Sequence, residues 1–140
     1  MSLVQLIYLS DLVDKNEAHI APILQSAVKH NSKNGITGML LYSGGNFLQV
    51  LEGEKAAVDE TYARICQDPR HRNTVLLIEE PVSERHFSSW QMGYRQLDEK
   101  HAERLPRYAP YFQYGFDVSA IQAKPGVALE MLELFSQGNL

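Results

Sequence analysis

The sequence predicts an α+β fold of the ferredoxin-like type. In the order βαββαββ, a mixed five-stranded sheet carries two helices on one face, and a C-terminal helical extension follows. Three observations lead there. Short runs rich in β-formers alternate with two segments of helical periodicity. The two middle runs flank Ser43-Gly44-Gly45, a hairpin-type turn. Asp68-Pro69 stops the second helical segment sharply, because proline disfavours helical geometry in the residue before it.

Leu3 to Leu9 is a short apolar run suited to a strand buried on both faces, with Val4, Leu6 and Tyr8 on one side. Asp11 to Asn16 is polar and turn-like, and Asn16 is a candidate helix cap. From Glu17 to His30, apolar residues recur at Ile20, Ile23, Leu24, Ala27 and Val28, the stripe of an amphipathic helix. Pro22 suits only a first turn, and Asn34-Gly35 closes the segment. Ile36 to Tyr42 and Asn46 to Glu52 form the hairpin strands. Lys55 to Gln67 is a second helix with Val58, Tyr62 and Ile65 inward. Thr74 to Ile78 is a fourth strand. Ser88 to Arg95 reads as a fifth, with Trp90, Met92 and Tyr94 on one face.

The composition shifts at Leu97, which divides the chain into a domain at 1–97 and an extension at 98–140. Asp98 to Leu105 reads as a charged helix, and the aromatic-rich stretch Tyr108 to Phe116 follows Pro106. Val127 to Phe135 is a final amphipathic helix with Met131, Leu132, Leu134 and Phe135 on its apolar side. This tail is expected either to cover the sheet face left bare by the first two helices or to form a dimer or partner surface.

The 140 residues suffice for one domain with a short appendage, and 44% apolar residues can build a core. A net charge of −4 argues against nucleic acid or an anionic membrane surface as partner. One cysteine, Cys66, leaves no internal disulfide and is read as a buried helix residue. No secretory signal and no apolar run of membrane-spanning length are evident, so a cytoplasmic location is expected. The five histidines show no metal-ligand spacing, and no phosphate-cradling loop or nucleophile–base pair is present.

The oddest feature is an amide in an apolar strand. Gln49 points the same way as Phe47 and Leu51, and an unpaired amide there would cost about 1–3 kcal/mol. Something must hydrogen-bond to it. If the strands bring Tyr8 and Gln49 onto the helix-facing side, a phenol and an amide meet beneath a cleft between the helices. Asn31, four residues after Ala27, continues the buried stripe of its helix. Taken singly, each of these has a plainer meaning. Tyr8 is a core tyrosine, Gln49 a structural amide, Asn31 a helix-terminal residue. Trp90 and Met92 are core packing, and Arg64 with Asp68 is a surface ion pair.

Taken together they form a dense pattern. Leu-Ile-Tyr8, His30-Asn31, Asn34-Gly-Ile-Thr-Gly-Met-Leu-Leu-Tyr42, Phe47-Leu-Gln49-Val-Leu-Glu-Gly53, Tyr62-Ala-Arg64-Ile with Asp68, and Trp90-Gln-Met92 follow one another between residues 3 and 96. Over that span the sequence resembles the BLUF family, blue-light sensors that bind FAD. The resemblance implies that Tyr8 is the light-dependent electron and proton donor and that Gln49 sits between it and the flavin ring. It implies that Asn31 holds the ring's carbonyl and amide edge and that Ile23 and Ile65 sandwich the ring. Arg64, Asp68 and His71 match flavin-contacting positions, while Trp90 and Met92 match residues linked to signal relay. His30 stands where some relatives have Asn. Lys29 and His30 belong to a basic group with Lys33, Arg64, Arg70, His71 and Arg72 that is available to the cofactor's phosphates.

The function expected from this resemblance is a blue-light photoreceptor, not an enzyme. Its output would pass to an unknown downstream protein partner or through a homodimer or higher oligomer. The alternatives are a small flavin-dependent oxidoreductase and a light-inactive ferredoxin-like interaction module.

Overall fold

A computed structural model describes residues 2–137. Its sheet has five strands, β1 (Leu3–Leu12), β2 (Thr37–Ser43), β3 (Asn46–Glu54), β4 (His71–Pro81) and β5 (Gly93–Gln96). They lie in the spatial order β4-β1-β3-β2-β5. β1 runs antiparallel to both β3 and β4, β2 and β3 form the antiparallel hairpin, and β5 joins β2 in parallel. This is the expected ferredoxin-like α+β sheet with one added edge strand.

Helix α1 (Ile20–Asn34) follows two short 3-10 turns, and Asn16 accepts a hydrogen bond from the Ala18 N–H there. Pro22 falls in the first turn of α1, where its missing N–H costs nothing. Helix α2 (Lys55–Gln67) joins β3 to β4. The β2–β3 turn needs positive φ at two successive residues, and Gly44 (53°) and Gly45 (99°) supply it without a Cβ penalty.

Strand alternation sorts the core into two layers. Val4, Leu6, Tyr8, Leu40, Phe47 and Leu51 face one way and pack with Ile20 and Ile23 of α1 and Val58 of α2. Ile7, Leu9, Met39, Leu41, Leu48 and Val50 face the other way. That second face is covered by α3 (Glu99–Arg104), α4 (Ala109–Phe112), α5 (Val118–Ala123) and α6 (Gly126–Ser136). Phe112, Ile121, Met131, Leu132 and Phe135 are the main buried side chains of this cover. Asp98 caps α3 reciprocally with His101.

Several expectations need correction. β5 begins at Gly93, so Trp90 and Met92 lie in the irregular segment before it and not on a strand face. They also part company, Met92 being buried and Trp90 37% exposed. Val28 is exposed, because the buried line of α1 runs through Ile20, Ile23 and Asn31. Cys66 is exposed as well. The aromatic-rich stretch contains one helix, α4, and a second, α5, follows it; periodicity announced neither.

Candidate functional site

Tyr8 on β1 and Gln49 on β3 are direct cross-strand partners, and Gln49 also faces Leu40 on β2. Both point toward the layer beneath α1 and α2. The phenol O–H of Tyr8 donates to Oε1 of Gln49. Tyr8 is wholly buried, and that burial, reinforced by neighbouring Tyr62, holds its pKa well above the ordinary phenol value. The proton therefore stays on Tyr8 in the resting state. On its other side the Gln49 amide donates from Nε2 to Sδ of Met92 at 3.3 Å. A thioether is a weak acceptor, so this contact can be exchanged at small cost.

Above Gln49 a cleft of about 590 Å³, counted to its open mouth, separates α1 from α2. Ile23 and Ala27 on α1 and Ile65 on α2 supply apolar walls, and Asn31 and Gln49 supply amides at the floor. Asn31 is 1% exposed and donates from Nδ2 to the Gln91 carbonyl at 2.6 Å. Among the described residues its Oδ1 has no hydrogen-bond partner, and neither has the second N–H of Gln49. One free acceptor and one free donor thus converge on the cleft.

Polar groups gather at the mouth. His30 Nε2 lies 2.9 Å from Thr61 Oγ1, whose own hydroxyl donates to the Ala57 carbonyl at 2.7 Å. Nε2 of His30 is therefore the donor, and Nδ1 is left to accept from the Arg64 guanidinium. Partial burial first, and then Arg64, lowers the His30 pKa. Asp68 does not pair with Arg64. It binds Arg70 instead, accepting at 2.7 Å from Nη2 and at 2.9 Å from the Arg70 backbone N–H, and Arg70 depresses its pKa. His71 is buried against Phe47, with Nδ1 3.0 Å from Ser10 Oγ, and burial lowers its pKa to about 4.

Of the residues singled out from sequence, Ile23, His30, Asn31, Gln49, Arg64, Ile65, Asp68 and His71 all line this cleft. Tyr8 lies directly beneath it through Gln49, and Met92 touches Gln49 from the side. Lys29 is exposed on α1 and does not line the cleft. Nor does Trp90, although its carbonyl accepts from Gly38 N–H at 3.1 Å. Sequence reasoning missed Ser26, Ala27, Leu51 and Thr61 as lining residues, and it placed Arg70 only in the general basic group. Helical spacing would have found Ser26, three after Ile23, and Thr61, three before Arg64.

The donor set suits a flat heteroaromatic ring with amide-like edges and an anionic tail. Branched aliphatic walls would suit the faces of such a ring and the amides its edge, and the Arg64 and Arg70 guanidiniums, which also line the cleft, would suit the charge of its tail. Fold and site together define a ferredoxin-like domain with a cleft between its two helices.

Comparison with known proteins makes this specific. Residues 3–93 match the family described as "BLUF: Sensors of blue-light using FAD". The chain is 39% identical over 97 residues to photoactivated adenylate cyclase subunit alpha of Euglena gracilis, covering 67% of this chain and 10% of that protein. It is 33% identical over 128 residues to the blue light- and temperature-regulated antirepressor BluF of Escherichia coli (strain K12), covering 86% of this chain and 31% of the other. Among solved structures, the photo-activated state of BlsA superposes with a TM-score of 0.78 at 30% identity, covering 94% of both chains. This chain belongs to the BLUF family, and its cofactor is FAD. It spans about a tenth of the length of the Euglena cyclase. No helix among the described residues is long and apolar enough to cross a membrane.

Proposed function

We propose that the chain is a blue-light photoreceptor whose switch is the Tyr8–Gln49–Met92 series. The observation that carries the proposal is the bond from Tyr8 O–H to Gln49 Oε1, made by a glutamine that also lines the flavin-family cleft. FAD, when bound and excited by blue light, supplies a strong one-electron oxidant. Tyr8 would then give up an electron, its proton following the existing hydrogen bond to Gln49 Oε1; when the electron returns, Gln49 would give one proton back, and Tyr8 would be phenolic again. Gln49 keeps a reversed arrangement, by rotation or tautomerisation, because an amide serves equally as donor or acceptor. Its new donor end would be available to the ring's carbonyl edge, which would shift the absorption to the red. Met92 loses the N–H it held, and the segment before β5 feels the change.

Asn31 and Ile23 on α1 and Ile65 on α2 orient the ring, with Arg64 and Arg70 toward the phosphates. The helices between residues 98 and 137 act as a cap on the sheet's second face that relays or damps the signal. Output passes to a separate protein or through self-association, without net chemistry on a substrate.

One experiment tests the reading. The absorption spectrum of the purified FAD-loaded protein is recorded before blue light, after it, and again following dark incubation. A reversible red shift is expected. Steady NAD(P)H oxidation in the dark would point to an oxidoreductase, and FAD bound without any light response would point to an inactive module.

A further inference from the structure

Three residues beyond Gln49 on the same strand, and facing the other side of the sheet, Glu52 is 0% exposed. Its carboxylate faces neutral donors. Oε2 accepts from the cross-strand partner Gln5 Nε2 at 2.9 Å and from the His86 N–H at 3.0 Å. Oε1 accepts from the His86 N–H at 2.9 Å and the Phe87 N–H at 2.7 Å. Beside it the Arg85 guanidinium donates to the Glu52 and Gly35 carbonyls and to Thr37 Oγ1 at 2.7–3.0 Å. Burying a carboxylate is expensive, so its position here needs a reason beyond filling space.

The reason lies in what these donors carry. His86 and Phe87 begin the segment that continues through Trp90, whose carbonyl is pinned by Gly38, to Gln91 and Met92. Those last two residues return to the flavin side, where Asn31 holds the Gln91 carbonyl and Gln49 holds the Met92 sulfur. The contacts form a closed circuit. Strand β3 grips one end of the segment through Glu52 and the other through Gln49.

We propose that Glu52 is a positioning residue for the photoswitch: by clamping His86 and Phe87 it sets where Gln91 and Met92 meet Asn31 and Gln49, and so governs return to the dark state. The proposal rests on the Tyr8–Gln49 reading above. A fixed clamp favours the Met92–Gln49 contact of the resting state, so its loss stabilises the lit arrangement relative to the dark one.

The test uses the full FAD-loaded chain with Glu52→Ala, Glu52→Gln and, in case alanine prevents folding, Gln5→Met, which removes one donor from the clamp. Dark recovery after blue light is timed, and amide hydrogen exchange of residues 86–92 is measured on the apoprotein. Glu52→Ala is expected to speed exchange there by about tenfold or more. It is expected to slow dark recovery by about fivefold with FAD binding unchanged, while Glu52→Gln, which keeps an acceptor oxygen, stays within about twofold of wild type. Gln5→Met slows recovery less, in the same direction. Recovery at the wild-type rate despite faster exchange in Glu52→Ala, or in Gln5→Met if alanine does not fold, would overturn the proposal and leave Glu52 a purely structural anchor. A wild-type protein with no light response would instead defeat the switch reading itself.

Discussion

Tyr8 and Gln49 stand opposite one another across the β1–β3 pair, and the phenol donates its only hydrogen to the amide oxygen. The register that brings them together is enforced by burial on both faces of the sheet, since a one-residue slip would turn Tyr8 into the apolar layer under α6.

Tyr8→Phe removes one oxygen from a buried ring and leaves every lining residue in place. FAD should remain bound, and the reversible red shift should vanish in the light-minus-dark spectrum. A normal photocycle in that variant would remove Tyr8 from its role.

Gln49→Leu strands the Tyr8 hydroxyl without an acceptor, which should cost about 1–3 kcal/mol and abolish the shift. Adding Tyr8→Phe removes the orphaned hydroxyl. The double variant should therefore be more stable than the sum of the single losses implies, by about 1 kcal/mol in a urea-denaturation cycle. Strict additivity would show that the two side chains are not coupled.

Asn31→Ala deletes the donor to the Gln91 carbonyl and the free acceptor of the cleft. We expect weaker FAD retention by equilibrium dialysis and a stability loss of about 1–2 kcal/mol. Unchanged FAD affinity would show that Asn31 serves the 82–92 segment alone.

His71 gives the stability of the apoprotein a pH signature. Its folded pKa, about 4, lies below the ordinary 6.5 because burial disfavours the charged ring. The unfolded chain thus binds more protons between these values, and stability must fall as pH drops from 6.5 toward 4. The full gap is worth about 3 kcal/mol at 1.36 kcal/mol per pH unit. His71→Gln should flatten that part of the urea-midpoint profile, and an unaltered slope would place the acid sensitivity elsewhere.

The two-layer core was legible in the sequence because strand alternation is strict where both faces are buried. Val4, Leu6 and Tyr8 alternate onto one face, and they pack together. The cleft was legible for a different reason, as Ile23, Asn31 and Ile65 fall on helical stripes that converge above Gln49. Trp90, Met92 and Tyr94 misled by alternating like strand residues. Only the residues from Gly93 onward pair in ladder register with β2, and the preceding turn is shaped by long-range contacts to Gly38, Asn31 and Gln49. Arg70 escaped the site because its place comes from an Asp68 side-chain turn rather than from periodicity. Val28 sits beside the stripe of α1, not on it.

The most direct measurement is the light-minus-dark infrared difference spectrum of the FAD-loaded protein with isotope-labelled glutamine side chains, compared with Gln49→Leu. The account predicts a glutamine amide band that shifts on illumination, relaxes at the rate of the visible red shift and disappears in Gln49→Leu. A red shift that forms and decays with no labelled glutamine band moving would contradict it.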